Sequence, residues 1–394
     1  MHDRPAKAPT AKPPLLQRDF LWLMLAHLLQ AVGWSSALLL PLFIDTLGAS
    51  RSEIGLVMAS GAIGGLLARP SVGSALDRWG RHQTITLGTL VVVAAMIGLL
   101  GVDAVGWPLV LLRMLFGAGT GALFTGYFTL ATDLIPPARR TEGIALFGIT
   151  GLVPLIINPI AGAVGVQGQS IPPFLALMSL TLIASLWPLW RAKAPRAAEA
   201  ATTTPTVSFA ALVLEAKLRS AWIGTLIFAS CVMLFMTFAM VVATKRGLTD
   251  PAHFWWTYAG GAVMIRLFGA QVPDRLGPHN LLLPALSMSL LGLVVLAGVS
   301  SQTDLLLAGL LGGLGHGMGF PVLTGQIASR SEPAVRGRAM ATFTGLWDVC
   351  SLCSPPAMGM VADRYGDAPM LSGVALAATV GMVLWALAEH RSSS

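Results

Sequence analysis

The stretch RPSVGSALDRWGRHQTI at residues 69–85 returns in altered form as RLFGAQVPDRLGPHNLL at residues 266–282. Five of its residues recur 197 positions later, at half the length of the 394-residue chain. The pairs are Arg69 and Arg266, Asp77 and Asp274, Arg78 and Arg275, Gly80 and Gly277, and His82 and His279. Each copy lies between two long apolar segments, so the same supersecondary unit is present twice.

Two further echoes have nearly the same spacing. At an offset of 196, the matching residues are Pro137 and Pro333, Arg140 and Arg336, Phe147 and Phe343, Gly117 and Gly313, Gly119 and Gly315, and Gly121 and Gly317. One offset that holds at three places predicts two structural repeats. In a hydrophobic chain, such repeats are typical of membrane transport proteins, whose binding site lies where the repeats meet.

The composition places these repeats in a membrane. The chain is 55% hydrophobic and 11% charged, whereas an ordinary soluble domain is about 25% charged. Its mean hydropathy is +0.73. A soluble fold of this length could not bury so much apolar surface, and we therefore expect the lipid bilayer to surround it.

Apolar runs long enough to cross a bilayer follow one another along the whole chain. They fall roughly at residues 20–40, 54–72, 83–101, 107–130, 142–165, 172–190, 220–243, 253–271, 280–299, 304–328, 338–361 and 370–388. We therefore expect an all-α membrane protein with twelve transmembrane helices in two pseudo-symmetric six-helix bundles. The expected boundaries are a tail at 1–19, bundles at 20–190 and 220–389, a linker at 191–219 and a tail at 390–394.

The basic residues predict the orientation. Most of the 25 Lys and Arg residues fall on the side of the tails and the linker, whereas the loops on the other side hold only Arg51, Lys245, Arg246 and Arg364. The positive-inside rule then predicts that both termini are cytoplasmic, as in a protein of the bacterial inner membrane. Since this distribution accounts for the net charge of +7, we expect no nucleic-acid partner.

The sequence contains none of the common motifs of nucleotide-binding, hydrolytic or zinc-binding proteins. We find no P-loop, no nucleophile elbow and no zinc ligand set, so we expect neither an enzyme nor an ATP-driven pump, and no cofactor or metal. The three cysteines, Cys231, Cys350 and Cys353, lie inside apolar runs and predict no disulfide framework.

The loop at residues 69–85 resembles the loop signature of the major facilitator superfamily. Gly73, Asp77, Arg78, Gly80 and Arg81 stand where that signature expects them, whereas the usual Leu and the last basic residue are replaced. Asp274, Arg275 and Gly277 form a degenerate second copy. The resemblance implies that these residues form a conformational-latch loop that holds the two halves in one state. An alternative is that they serve topology alone.

The resemblance covers essentially the whole chain and implies a monomeric secondary transporter that works by alternating access. Its partners would be a small-molecule substrate, protons and the lipid bilayer. We expect proton-coupled efflux of drugs or metabolites. Two alternatives stay open, a proton-symport importer of a sugar or other nutrient and a membrane sensor that transports nothing. The fifth run departs from family antiporters, because Asn158 and Pro159 stand in place of their Gly-Pro.

Two charged residues inside apolar runs are the candidates for proton coupling. Asp348 is the one acidic residue deep within a run, and a carboxyl group in that environment can load and release a proton near neutral pH. Arg113 lies in the fourth run, in a stretch similar to a family pattern whose arginine is implicated in proton coupling. Alternatively, Arg113 extends to the membrane interface, or Asp348 pairs with Arg113 as a structural bridge.

Several uncharged polar residues are candidates for the substrate cavity. His27, Gln30 and Trp34 share one face of the first helix, and a polar stripe in lipid is costly unless it faces a cavity or a partner. His27 could instead bond a neighbouring helix. Asn158 either faces the cavity or satisfies backbone freed by the following proline, and His316 lies in the glycine-rich tenth run.

Overall fold

A computed structural model describes residues 14–136, 139–193, 214–268, 278–332 and 336–393. Within these ranges the chain is helical and contains no strand. The helical segments are α1 (Arg18–Thr46), α2 (Arg51–Arg78), α3 (Arg81–Gly101), α4 (Trp107–Leu134), α5 (Arg140–Leu152, continued by Val153–Ile156 and Ile157–Ala163), α6 (Ile171–Arg191), α7 (Arg219–Lys245), α8 (Phe254–Phe268), α9 (Pro278–Ala297), α10 (Gln302–Arg330), α11 (Arg336–Tyr365) and α12 (Asp367–Ser393).

These segments match the twelve predicted runs and confirm the expected fold class. Ten of them are long and apolar enough to cross a membrane. The other two are α8, with 15 described residues, and α11, which carries Asp348 near its middle and arginines at both ends. The predicted linker lies largely at residues 194–213, outside the described part of the chain.

The two halves repeat the same helix packing. In the first half α4 packs on α2 and α3, and α1 packs on α6. In the second half α10 packs on α8 and α9, and α7 packs on α12. The echoed glycines lie at these crossings, since a side chain at Gly117 would overlap the backbone of Gly61, and one at Gly313 would overlap the backbone of Tyr258. The repeated glycines therefore mark close helix packing.

Prolines shape α5. The helix passes through a 3-10 turn at Val153–Ile156 before it continues as Ile157–Ala163. Pro154 begins this interruption and Pro159 follows it, and each lacks the N–H that an α-helix needs. The α-helical hydrogen bonding of the fifth segment is therefore interrupted where these two prolines lie.

The halves meet along two seams, α2 with α11 and α5 with α8. Because an even number of segments returns the chain to the side where it began, the start of α1 and the end of α12 lie on one face, here called the terminal side. The other face, here called the opposite side, holds the start of α2 and the end of α11. There α1 also contacts α7. These two seams bring residues of both repeats together.

Candidate functional site

An ion pair joins the two halves at the α2–α11 seam. Asp348 of α11 contacts Nη2 of Arg69 of α2, and the same nitrogen lies 3.5 Å from the Thr344 carbonyl oxygen. The Arg69 and Asp348 side chains are 39% and 29% exposed, so neither is sealed in the protein interior. A proton on the carboxylate would remove its attraction to the arginine. This pair can therefore link a protonation event to a contact between the halves.

Arg113 is not the partner of Asp348, so the structural bridge considered between them is wrong. Its guanidinium lies against Gly61 of α2 and 5.1 Å from the centre of the Phe116 ring. No carboxylate of the described residues forms an ion pair with it. Arg113 borders an apolar cavity of about 10 Å³, which is room for a single water molecule.

Arg266 occupies the second seam at the position equivalent to Arg69. Its Nε donates to the Gly317 carbonyl oxygen at 3.2 Å, and its guanidinium lies against Gly148 of α5. Gly148 stands 196 residues before Thr344, the residue whose carbonyl Arg69 approaches. The two seams thus use equivalent arginines at equivalent contacts.

The seams differ in charge. The residue equivalent to Asp348 is Leu152, so symmetry supplies no carboxylate for Arg266. Among the described residues Arg266 has no ion-pair partner. One seam is therefore closed by an ion pair, and the other holds a cation without a carboxylate.

His316 belongs to a polar and aromatic cluster of the second half. Its Nδ1 lies 2.8 Å from the hydroxyl oxygen of Tyr258. Its ring centre lies 5.7 Å from that of Phe228 and 6.4 Å from that of Trp347. The buried Nε1 of Trp347 has no hydrogen-bond partner among the described residues. Trp347 directly precedes Asp348, so this cluster adjoins the ion pair.

The first-helix candidates have different environments. His27 Nδ1 lies 2.6 Å from the Thr150 hydroxyl oxygen of α5, and its ring stacks on Phe147 at 4.3 Å. This contact fits the alternative in which His27 bonds a neighbouring helix. Gln30 is buried and Trp34 is half-buried. The Gln30 amide bonds to none of the described residues, and its cavity role stays a prediction.

Asn158 supplies a hydrogen bond that the backbone of Pro159 cannot make. Its Nδ2 donates to the Leu155 carbonyl oxygen at 2.9 Å. That carbonyl lies four residues before Pro159, whose nitrogen cannot donate to it. Asn158 is fully buried, so the geometry favours backbone repair over the cavity.

The hydrogen bonds and ion pairs of the described latch-loop side chains stay within the first half. Arg81 Nε donates to Asp133 Oδ2 of α4 at 3.1 Å, Gly80 has φ +91°, and Arg78 is exposed. Nothing lies within 4 Å of a side-chain carbon built on Gly73. The side chain of Asp77, together with Asp274, Arg275 and Gly277, lies outside the described residues. The role of the loop as a latch stays a prediction.

A contact that the sequence analysis did not foresee closes the opposite side. The buried Arg51 at the start of α2 donates from Nε and Nη2 to Asp367 of α12, at 3.0 and 3.2 Å. Its Nη1 contacts Asp45 at 2.9 Å. Asp363 of α11 accepts from the backbone N–H groups of Arg51 and Ser52, at 2.7 and 2.9 Å. Here this set is called the opposite-side latch.

A sequence signal for that latch was available. Asp363, Arg364, Tyr365 and Gly366 repeat the D-R-x-G pattern of residues 77–80, and Gly366 has φ +92°, close to the φ of Gly80. The aspartate of this third copy caps the N-terminus of a helix in the other half. Helix N-termini favour such a negative charge.

Comparisons with known proteins agree with this architecture. Residues 23–355 match the sequence profile of the Major Facilitator Superfamily. An uncharacterised MFS-type transporter of Pseudomonas aeruginosa is 25% identical, covering 89% of this chain and 87% of the relative. The 3-(3-hydroxy-phenyl)propionate transporter of Escherichia coli is 24% identical, covering 77% and 82%. The crystal structure of a mutant of the nucleoside transporter NupG superposes with a TM-score of 0.80 at 13% identity, covering 94% and 99%.

Proposed function

The chain belongs to the major facilitator superfamily, and from that membership we propose that it is a proton-coupled secondary transporter that exports small organic molecules. Membership supports secondary transport of small molecules across a membrane. Proton coupling and direction are the parts that we add. We further propose that the protein works as a monomer in a bacterial inner membrane, with both termini in the cytoplasm.

The observation that carries proton coupling is the contact between Asp348 and Arg69. Its two charges come from different halves, so their attraction stabilises the state in which α2 and α11 are close. Protonation of Asp348 cancels this attraction and lets the halves separate there. A carboxylate within a membrane helix is costly unless it is paired or functional, and this one is both paired and partly exposed.

The proposed transport cycle depends on which side of the protein the described structure closes. With cytoplasmic termini, the opposite-side latch lies outside, so the described arrangement is closed to the outside. Substrate enters from the cytoplasm while Asp348 is charged. After the halves rock, a proton from outside reaches Asp348, Arg69 is released, and the substrate leaves. Return to the inward-facing state delivers the proton to the cytoplasm.

The test uses everted membrane vesicles with an established proton gradient. Ethidium, lactose and 3-(3-hydroxyphenyl)propionate serve as probes of different charge, and we expect at least one to collapse the gradient. Asp348→Asn should abolish the collapse, because an amide cannot exchange a proton. The matched control is Asp103→Asn, an exposed carboxylate in the loop before α4. Collapse that persists in Asp348→Asn would remove Asp348 from coupling.

Uptake by proton symport is the second candidate. It is favoured by the fifth helix, where Asn158 and Pro159 replace the Gly-Pro of family antiporters. A relative named for 3-(3-hydroxy-phenyl)propionate transport makes an aromatic acid a reasonable cargo to test. Accumulation of this compound by right-side-out vesicles, driven by acid outside, would replace export with uptake. It would leave the role of Asp348 unchanged.

A further inference from the structure

The α5–α8 seam holds a charge that the described residues do not balance. Arg266 donates one hydrogen bond, from Nε to the Gly317 carbonyl, and its guanidinium lies against Gly148 of the other half. An arginine has five N–H donors and stays charged in proteins. A cation within a membrane helix is costly without a partner, so the terminal nitrogens of Arg266 are suited to bind an anion.

Two other arginines lie deep inside apolar runs, Arg69 and Arg113, and neither offers the same opportunity. Arg69 already contacts Asp348. Arg113 lies within the first half against Gly61 and an apolar cavity of about 10 Å³, which is too small for any solute larger than water. Arg266 differs from Arg69 because no carboxylate of the described residues pairs with it, and from Arg113 because it lies where the halves meet.

The aromatic cluster around His316, the residue next to the Gly317 contact of Arg266, indicates what kind of anion fits. The carbonyl that it bonds belongs to Gly317, the neighbour of His316. Around His316 stand the rings of Phe228 and Trp347, and Trp347 also packs on Phe320 at 6.0 Å. The Trp347 Nε1 is a buried donor without an acceptor among the described residues. One cation, one free N–H donor and several aromatic rings suit a singly charged acid with an aromatic body.

We propose that Arg266 binds the carboxylate of an aromatic monocarboxylate substrate, with Trp347 Nε1 as a second donor. This inference rests on the proposed transport function and names the substrate class of the same site. Trp347 is the residue before Asp348, so a carboxylate held there would lie near the ion pair that carries coupling. Its negative charge would repel that of the Asp348 carboxylate, which links substrate occupancy to the α2–α11 contact.

The test measures binding separately from transport. The full chain is purified in detergent, and radiolabelled 3-phenylpropionate binding is followed by scintillation proximity. We expect saturable binding that benzoate displaces and that 3-phenylpropionamide, the neutral analogue, does not. Arg266→Gln should weaken binding roughly tenfold to a hundredfold, the effect of one charge-assisted hydrogen bond. Arg266→Lys keeps the charge and should lose less affinity.

Two further variants control the result. Arg246→Gln removes an arginine at the end of α7 that donates to the Ala297 carbonyl at 3.3 Å, and binding should be unchanged. Trp347→Phe keeps the ring and removes the donor, so affinity should fall severalfold. Each variant is first shown to elute as wild type in size-exclusion chromatography.

Three results would overturn the proposal. They are an absence of saturable carboxylate binding to wild type, equal displacement by the amide or by inorganic phosphate, and unchanged affinity in a folded Arg266→Gln protein. The proposed function fails differently. If carboxylates bind but no probe moves in vesicles, the anion site stands without transport. If ethidium or lactose moves and carboxylates do not bind, transport stands without the site.

Discussion

At the residue scale, one buried amide shows how this fold accommodates a proline. Asn158 donates to the Leu155 carbonyl, which Pro159 leaves without its helical partner. Asn158→Ala should therefore leave a buried acceptor unpaired, which costs about 1–3 kcal/mol. We expect the lower end of that range, because Asn158 Oδ1 is itself buried without a partner among the described residues. Thermal unfolding of the purified protein in detergent measures the change.

A second buried amide provides the control for this prediction. Gln30 lies on α1 and bonds to none of the described residues. Gln30→Ala removes an amide of the same kind without exposing a backbone acceptor, and the midpoint of unfolding should hardly change. Equal losses in the two variants would mean that the bond to Leu155 contributes nothing particular.

At the scale of elements, the crossing of α2 and α11 depends on two glycines near the opposite side. A side chain at Gly55 would overlap the Pro355 carbonyl, and one at Gly359 would overlap the Arg51 carbonyl. Helix backbones approach this closely only where small residues face each other. Gly55→Val should therefore keep the two helices apart and prevent closure of that side.

Spin labels can report that opening. Thr46 and Lys245 are exposed at the opposite-side ends of α1 and α7, and labels there should lie farther apart in Gly55→Val than in wild type. The matched control is Gly373→Val on α12, where a side chain would have nothing within 4 Å. A distance distribution that Gly55→Val leaves unchanged would show that the crossing tolerates the added bulk.

At the scale of the whole molecule, two carboxylates of α11 should respond differently to pH. Asp363 lies beyond the apolar run of that helix. Burial tends to raise its pKa, but hydrogen bonds from Ser52 and Arg51 and the charge of Arg51 hold the pKa below its ordinary value. Its contribution to the opposite-side latch is therefore complete above the unperturbed carboxyl pKa of about 3.9, and it is lost only as pH falls through the lowered value.

The pH dependence of transport near neutral pH should accordingly come from Asp348. Asp363 accepts from the backbone N–H groups of Arg51 and Ser52, and its lowered pKa keeps it ionised near neutral pH. Initial rates in proteoliposomes should keep the wild-type midpoint in Asp363→Asn and lose their pH dependence in Asp348→Asn. A shifted midpoint in Asp363→Asn would assign proton sensing to the latch.

The sequence predicted the helices because the length and composition of an apolar run depend on local sequence alone. It predicted the two halves because the repeated residues keep one offset along the chain. It also located Asp348, since one carboxylate in an apolar run is conspicuous. It did not predict that Asp348 contacts Arg69, because the repeat shows which positions are equivalent and not which ones touch. Arg69 and Arg266 lie inside apolar runs, but the positive-inside rule explains them as orientation signals and hides their contacts. For Arg51, the D-R-x-G copy at residues 363–366 is the signal that the sequence carries.

The opposite-side latch has a consequence for genetics. Arg51 contacts carboxylates of both halves, so its loss should bias the protein toward the state that is open on that side, without touching the binding site. Second-site suppressors of Arg51→Gln should then weaken contacts near the terminal side and restore the balance between the two states. A genetic selection for restored transport should yield changes far from Arg51. Their positions would identify the contacts that open when the opposite side is closed.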